Sequence, residues 1–349
     1  MAVAALPSEP RANPDLFGHD EAARTMAEAA RSHRLHHAWL LTGPPGIGKA
    51  TLAYRFARWM LAGQPPDPAP PGGTPLHLPE ADPVFRRVAA GAHADLYTLA
   101  PSTGDKGKKE VLRAEDARAA VRFMAHTAAE GGWRVVVVED LERAERGIVP
   151  NILLKTLEEP PPRTVLLVAS AEPDRLLPTI RSRCRRLDLF PLPAPSMERL
   201  LAGWLPALGS ADRAALVRIA DGCPGRALAL AEGEGLAMQA AVDEVFAGLP
   251  GLDPRLVHSV ADKVAGRRDP AALPLFVFLL RRGLAAALRQ AARAGTAAPW
   301  VSARPLAEWS ALWERLGRLA DDTERLNLDR KQALLSGLAM LRPAAESRR

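Results

Sequence analysis

Leu40-Leu41-Thr42-Gly43-Pro44-Pro45-Gly46-Ile47-Gly48-Lys49-Ala50-Thr51 is the stretch on which the reading of this chain turns. An apolar run, His37 to Leu41, precedes the loop and predicts a short buried strand. Leu52 to Leu61 follows and predicts a helix. Strand, glycine loop, Gly-Lys and helix, in that order, are the context of a phosphate-binding loop. Gly43, Gly46 and Gly48 let the backbone turn tightly enough for its N–H groups to converge on a phosphate, with Pro44 and Ile47 completing the loop. The start of the helix adds partial positive charge, and Lys49 adds a full one. Such loops carry Ser or Thr directly after the Lys, because that hydroxyl ligates magnesium. Here the position is Ala50. Thr51 comes one residue later, turned roughly 100° further around the helix. The loop is equipped to hold a phosphate and poorly equipped to hold the metal.

The whole chain has 349 residues, enough for two or three domains with a sizeable core. Its formal net charge is +6. Only seven of the basic residues are Lys; the rest are Arg, spread among Ala and Pro. A mild basic excess of this kind is compatible with nucleic acid nearby without requiring it. Two cysteines, Cys184 and Cys223, cannot build a disulfide framework or a Cys-x-x-Cys zinc site, so no zinc is expected and a reducing cytoplasm is the expected setting. No secretory signal is legible, and the apolar stretch Ala271 to Leu280 is too short to span a membrane and is closed by Arg281-Arg282.

Along the chain, Met1 to Asn13 reads as a frayed Pro/Ala-rich end, and Asp20 as the cap of a helix to about Ser32. Gln64 to Pro83 is dense in Pro and Gly and predicts an exposed loop. Ser102 to Glu110, with Lys106, Lys108 and Lys109, predicts a solvated loop. Strands are predicted at Asp95 to Leu99, Arg134 to Asp140, Thr164 to Ser170 and Cys184 to Leu189, with helices between them. The run of four Val in Arg134 to Asp140 marks a strand buried on both faces, as in a parallel sheet. The expected architecture is a three-layer α/β domain over residues 1–190. A small helical lid follows over 191–235, where Ser196 is expected to cap the first helix. Residues 236–349 predict a larger helical domain, in which Trp309, Leu312, Trp313, Leu316 and Leu319 mark one apolar face.

A hydrolase built on such a loop needs Asp then Glu at the end of a neighbouring strand, one for the metal and one for the attacking water. The residues there are Glu139 then Asp140, in inverted order, and two acids capping a strand end explain them equally well. Thr179 to Arg185 puts three Arg in five residues; they cannot all be core, so at least one should face a partner or an anion. Arg226, in the first turn of the third lid helix, is placed either to reach back to a nucleotide or to pair with a surface acid.

Together, Gly-Pro-Pro-Gly-Ile-Gly-Lys at 43–49, Leu-Leu-Lys-Thr-Leu-Glu-Glu-Pro-Pro at 153–161, Ser-Arg-Cys at 182–184 and Gly-Arg-Ala at 225–227 resemble the subunits of the bacterial DNA polymerase III clamp loader, of the AAA+ superfamily. The resemblance runs from about Leu16 to Leu230 and implies that the C-terminal helices form a collar domain. It makes Arg183 an arginine finger acting in trans at a neighbour's ATP, Arg226 a second sensor and Ser170 a first sensor. Two subunit types share these motifs. The gamma/tau type, an active ATPase, carries Gly-Lys-Ser/Thr, Asp-Glu and four zinc-binding Cys, all lacking here. The delta-prime type keeps Ser-Arg-Cys beside a degenerate ATP site, and this chain resembles it more closely. The resemblance then implies gamma/tau and delta subunits, the sliding clamp and primed DNA as partners, with no membrane. It also implies membership of the polymerase (nucleotidyltransferase) holoenzyme, without ATPase activity of the chain's own. ATP binding without hydrolysis is compatible with the loop.

Overall fold

The computed structural model describes residues 9–66, 75–102, 111–145, 147–267, 272–294 and 300–345. The chain divides into two compact units, Met1–Leu228 and Ala229–Arg349.

In the first unit, β1 (Ala38–Thr42), β2 (Leu96–Leu99), β3 (Arg134–Val138), β4 (Thr164–Ser170) and β5 (Arg185–Asp188) form one parallel sheet in the order β2-β3-β4-β1-β5. Side chains alternate across the pleat, so neighbours in sequence enter different cores. Trp39, Leu41, Val135, Val137, Val165 and Leu167 pack on one face against α1 (Asp20–Arg31) and α2 (Lys49–Leu61). Ala38, Leu40, Val136, Val138, Leu166 and Val168 pack on the other, against α4 (Ala114–Ala125) and α5 (Val149–Glu158). The three-layer α/β domain predicted from the strand pattern is the one observed. The three central strands are buried on both faces because they need no polar side, which is why β3 could be four consecutive valines. Pro150 falls in the first turn of α5, where its missing N–H costs nothing.

After the sheet come α6 (Pro178–Arg181), α7 (Ala194–Trp204), α8 (Ser210–Ala220) and α9 (Pro224–Glu232). The second unit contains α10 (Gly235–Ala247), α11 (Pro254–Ala265), α12 (Ala272–Ala294), α13 (Leu306–Arg325) and α14 (Arg330–Ala345). Helix α12 packs on α10 and α13, and α14 on α11 and α13. Trp309 is buried and donates its indole N–H to Val301 O at 3.0 Å, beside Trp300, which stacks on Phe246. No helix among the described residues is long and apolar enough to cross a membrane.

Several local expectations change. Residues 1–8 lie outside the described residues, but 9–13 are not frayed: the Arg58 guanidinium donates to Arg11 O at 2.8 Å and Asn13 O at 2.7 Å. The stretch 64–83 is not uniformly exposed. Its residues 67–74 lie outside the described residues, Leu76 and Leu78 are buried, and Pro75 O accepts from Arg55 Nε at 2.9 Å. Pro83 opens a helix that the pattern did not reveal, α3 (Pro83–Ala89), capped by Asp82, whose carboxylate accepts the Val84 N–H. The Lys106, Lys108 and Lys109 loop lies outside the described residues. Asp20 is the first helical residue rather than the cap, which falls to His19, and Ser196 lies inside α7 after a cap at Pro193. Trp313 is exposed at the rim rather than core: its ring is covered by the Arg281 guanidinium and its N–H donates to Arg281 O.

Arg55 and Arg58 are fully buried on α2, and their guanidiniums donate to the backbone carbonyls of Pro75, Pro14, Arg11 and Asn13. Arg58 also covers the Phe85 ring, 4.5 Å from its centre. Burial, reinforced by the charge of Arg55, pulls the Arg58 pKa down to about 10. Truncating Arg58 leaves two carbonyls without their donor. Arg58→Ala is therefore expected to cost about 2–4 kcal/mol, read as a lower urea midpoint with little change in slope.

Candidate nucleotide site

The turn from β1 into α2 has the shape its glycines allow. Gly43, Gly46 and Gly48 all have positive φ, at 146°, 75° and 112°. Among the described residues, the backbone N–H groups of Gly46, Gly48, Lys49, Ala50 and Thr51 have no hydrogen-bond acceptor. They are the orphan donors of a helix start, and they border a cleft of about 390 Å³ lined by Pro45 through Thr51. An array of unspent donors at the positive end of a helix fits the phosphates of a nucleotide. Lys49 is buried, and its ammonium donates to Gly43 O at 2.8 Å and Pro44 O at 3.1 Å. Burial pulls its pKa down, while Asp140 and Glu142 pull it up.

The start of α9 closes one side of the cleft. Gly225 N–H donates to Gly46 O at 2.8 Å, and Pro224, Gly225 and Leu228 join the lining. Arg226 comes to the loop: its guanidinium lies 3.5 Å from Pro45 O and donates to Ala220 O at 3.3 Å. Asp15, Leu16 and Phe17 supply a second wall that sequence reading did not find. Phe17 meets Trp204 edge-on, with ring centres 5.7 Å apart. Trp204 thus lines the cleft as well, and the sequence signal for this wall was an aromatic just before a Gly-His-Asp helix start.

The metal side of the site is different. The cleft is bordered by the Ala50 methyl, and Thr51 occupies the next helical position. Glu139 accepts a hydrogen bond from Tyr54 Oη at 2.7 Å, and Tyr54 also contacts Thr98 Oγ1 at 3.0 Å. Burial raises the Glu139 pKa, as does Asp140, against the opposing pull of the Tyr54 bond. Asp140 sits in the left-handed backbone region, φ 47°, at the start of the next turn. Among the described residues no group of three His, Cys, Asp or Glu side chains is placed to hold a metal ion. The loop donors suit a phosphate, while on the metal side the cleft meets the Ala50 methyl, Thr51, Asp140 and a Glu139 already bonded to Tyr54.

Ser170 ends β4 beside Thr42, fully buried; its hydroxyl accepts the Glu172 N–H, and it does not line the cleft. Arg183 is not in the cleft either. Its guanidinium pairs with Glu158 at 2.8 Å and donates to Thr179 O at 3.1 Å. The neighbouring arginines are also engaged: Arg181 with Asp174, Arg186 with Asp188, and Arg185 over the Trp39 ring. Cys184 and Cys223 are buried free thiols, and burial pushes Cys184 up to about 12.

His19 supports the loop from below. Its ring is buried, with Nε2 2.9 Å from Ile47 O, and it packs under Gly48. Burial pulls its pKa down, outweighing the Ile47 bond and Asp20, so the unfolded chain takes up a proton more readily than the folded one. Its contribution to stability is present above the unfolded pKa of about 6.5 and is lost as pH falls below it. His37, His77 and His93 shift in the same direction. The stability lost between about pH 7.5 and 5.5, measured by urea unfolding, should therefore be smaller in His19→Gln than in the parent.

A family model described as DNA polymerase III, delta subunit, matches residues 18–193, half of the chain. The DNA polymerase III delta-prime subunit of Escherichia coli K12 is 37% identical over 215 residues, covering 60% of this chain and 58% of that protein. That of Pseudomonas aeruginosa is 38% identical over 190 residues, covering 54% and 53%. The DNA polymerase III tau subunit of Salmonella typhimurium is 27% identical over 284 residues, covering 79% of this chain and 41% of that protein. The chain thus spans little more than half the length of the delta-prime relatives it matches.

Proposed function

This chain belongs to the DNA polymerase III delta subunit family, and from that premise we propose that it is a delta-prime-type subunit of a clamp loader. It assembles with gamma/tau and delta subunits and holds a nucleotide without hydrolysing it. It helps load the sliding clamp onto primed DNA, with the helices of residues 236–349 as its collar and those of 191–235 as its lid. The observation that carries this reading is the divided site. The phosphate loop keeps its donors and Lys49, while Ala50 and the engaged Glu139 leave the hydrolytic half unequipped.

In this reading the loop N–H groups, Lys49 and Arg226 hold the phosphates. Phe17 and Trp204 offer an aromatic wall to the same cleft. Bound nucleotide then supplies charge that ties loop and lid together. Arg183 acts elsewhere, at the γ-phosphate held by a neighbouring subunit. A planar guanidinium suits the charge that develops there in the transition state. Its pairing with Glu158 in the isolated chain does not oppose this role. A half-exposed ion pair is worth on the order of 1 kcal/mol or less, and a triphosphate is the stronger partner.

The test is Arg183→Ala in the complex reassembled from its subunits. The variant should fold and assemble, and the clamp- and DNA-stimulated ATPase should fall only in part. Loss of a finger costs on the order of 10³-fold at the one site it serves, while the other sites keep theirs. Wild-type clamp loading and ATPase in that complex would overturn the finger. A magnesium-dependent ATPase in the purified chain, abolished by Lys49→Ala, would instead favour a gamma/tau-type motor.

A further inference from the structure

Tyr54 stands on α2 five residues after Lys49, and its hydroxyl reaches across to the ends of β2 and β3. There it meets Thr98 Oγ1 at 3.0 Å and donates to Glu139 Oε1 at 2.7 Å. The Tyr54 ring is almost fully buried, so the phenol cannot swing to water without opening the core between α2 and the sheet. Glu139 is the first residue after β3, and its own N–H is bonded to Leu99 O at 2.9 Å. The acid is thus fixed at both its backbone and its carboxylate.

A magnesium ion at a phosphate loop is held by the hydroxyl after the Lys, by an acid at this strand end and by the phosphates themselves. In this chain the hydroxyl position is a methyl, Ala50. Glu139 already serves a buried phenol. The second acid, Asp140, also lines the cleft, where its charge acts on Lys49. The anion side has no such deficit. The loop offers a row of N–H donors, Lys49 beside them and the Arg226 guanidinium within reach of Pro45 O.

We propose that this site takes its nucleotide as the free polyphosphate, without a divalent cation, because Tyr54 holds Glu139 and Ala50 supplies no ligand. The inference rests on the nucleotide reading above and adds the form of the ligand and the residue that sets it. Tyr54 is here a positioning residue, acting on metal preference through Glu139. A loop built this way discriminates against the magnesium complex, since magnesium draws off the charge that the loop donors would otherwise meet.

The experiment is calorimetric titration of the full chain with ATP and with ADP, each in magnesium and in EDTA. The dissociation constants in the two buffers should agree within about threefold or favour EDTA, and Lys49→Ala should abolish binding in both. The double variant Ala50→Thr/Tyr54→Phe, which adds the hydroxyl and releases Glu139, should bind more tightly in magnesium than in EDTA. Its thermal midpoint in each buffer serves as the check that it is folded. Binding by the parent chain that weakens more than about tenfold in EDTA would overturn the proposal and leave the nucleotide reading standing. Absence of binding in both buffers would overturn the nucleotide reading and the proposal together. A folded double variant as indifferent to magnesium as the parent would overturn the role given to Tyr54.

Discussion

Two glycines meeting backbone to backbone set the geometry on which the site depends. Gly225 donates its N–H to Gly46 O, and a Cβ on Gly46 would lie 2.4 Å from Arg226 N. No side chain can stand between the phosphate loop and the start of α9. The approach has two further supports of the same kind. A Cβ on Gly222 would fall 2.5 Å from Leu192 O, and one on Gly18 would collide with the Leu192 side chain. The segment leading to α1, the loop after β1 and the turn before α9 therefore close on one another through Gly18, Gly46 and Gly222, each at positive φ. With that seat fixed, Arg226, Leu228 and Phe17 fall around the loop, and the cleft acquires walls.

Charge inside this unit is managed largely by backbone. Arg55, Arg58 and Arg134 are buried and donate to carbonyls of the N-terminal segment, of the 75–78 turn and of the end of α4. Buried charge is costly unless hydrogen-bonded, and a guanidinium with five donors can tie several chain segments at once. The same principle runs at Lys49, whose ammonium rests on Gly43 O and Pro44 O. A phosphate entering the cleft would exchange those carbonyls for a full negative charge, which is a favourable exchange for a buried cation.

The sheet was legible from the chain alone because its signals are local. Four valines in β3, Thr164 to Ser170 in β4 and the glycine loop each carry their own period or turn chemistry. The tight turn from β1 into α2 was legible for the same reason, and the missing hydroxyl at Ala50 could be seen directly. What stayed hidden depends on distance in the chain. Tyr54 and Glu139 are separated by 85 residues, and nothing in either neighbourhood signals that they meet. The Pro-rich stretch read as exposed because proline density masks Leu76 and Leu78, which the buried Arg55 helps to hold in place through Pro75. The N-terminal end read as frayed because its anchors are backbone carbonyls, which any sequence possesses. Arg183 shows the reverse. Its motif was readable, yet its partner in the isolated chain, Glu158 at the end of α5, was not.

The central claim is that this chain is built to complete a larger assembly. It is tested most directly by mixing the purified full chain with gamma/tau and delta subunits and measuring the mass of the product by sedimentation. The account predicts one stoichiometric complex that contains the chain. A chain that sediments alone while the other subunits assemble without it would contradict the account.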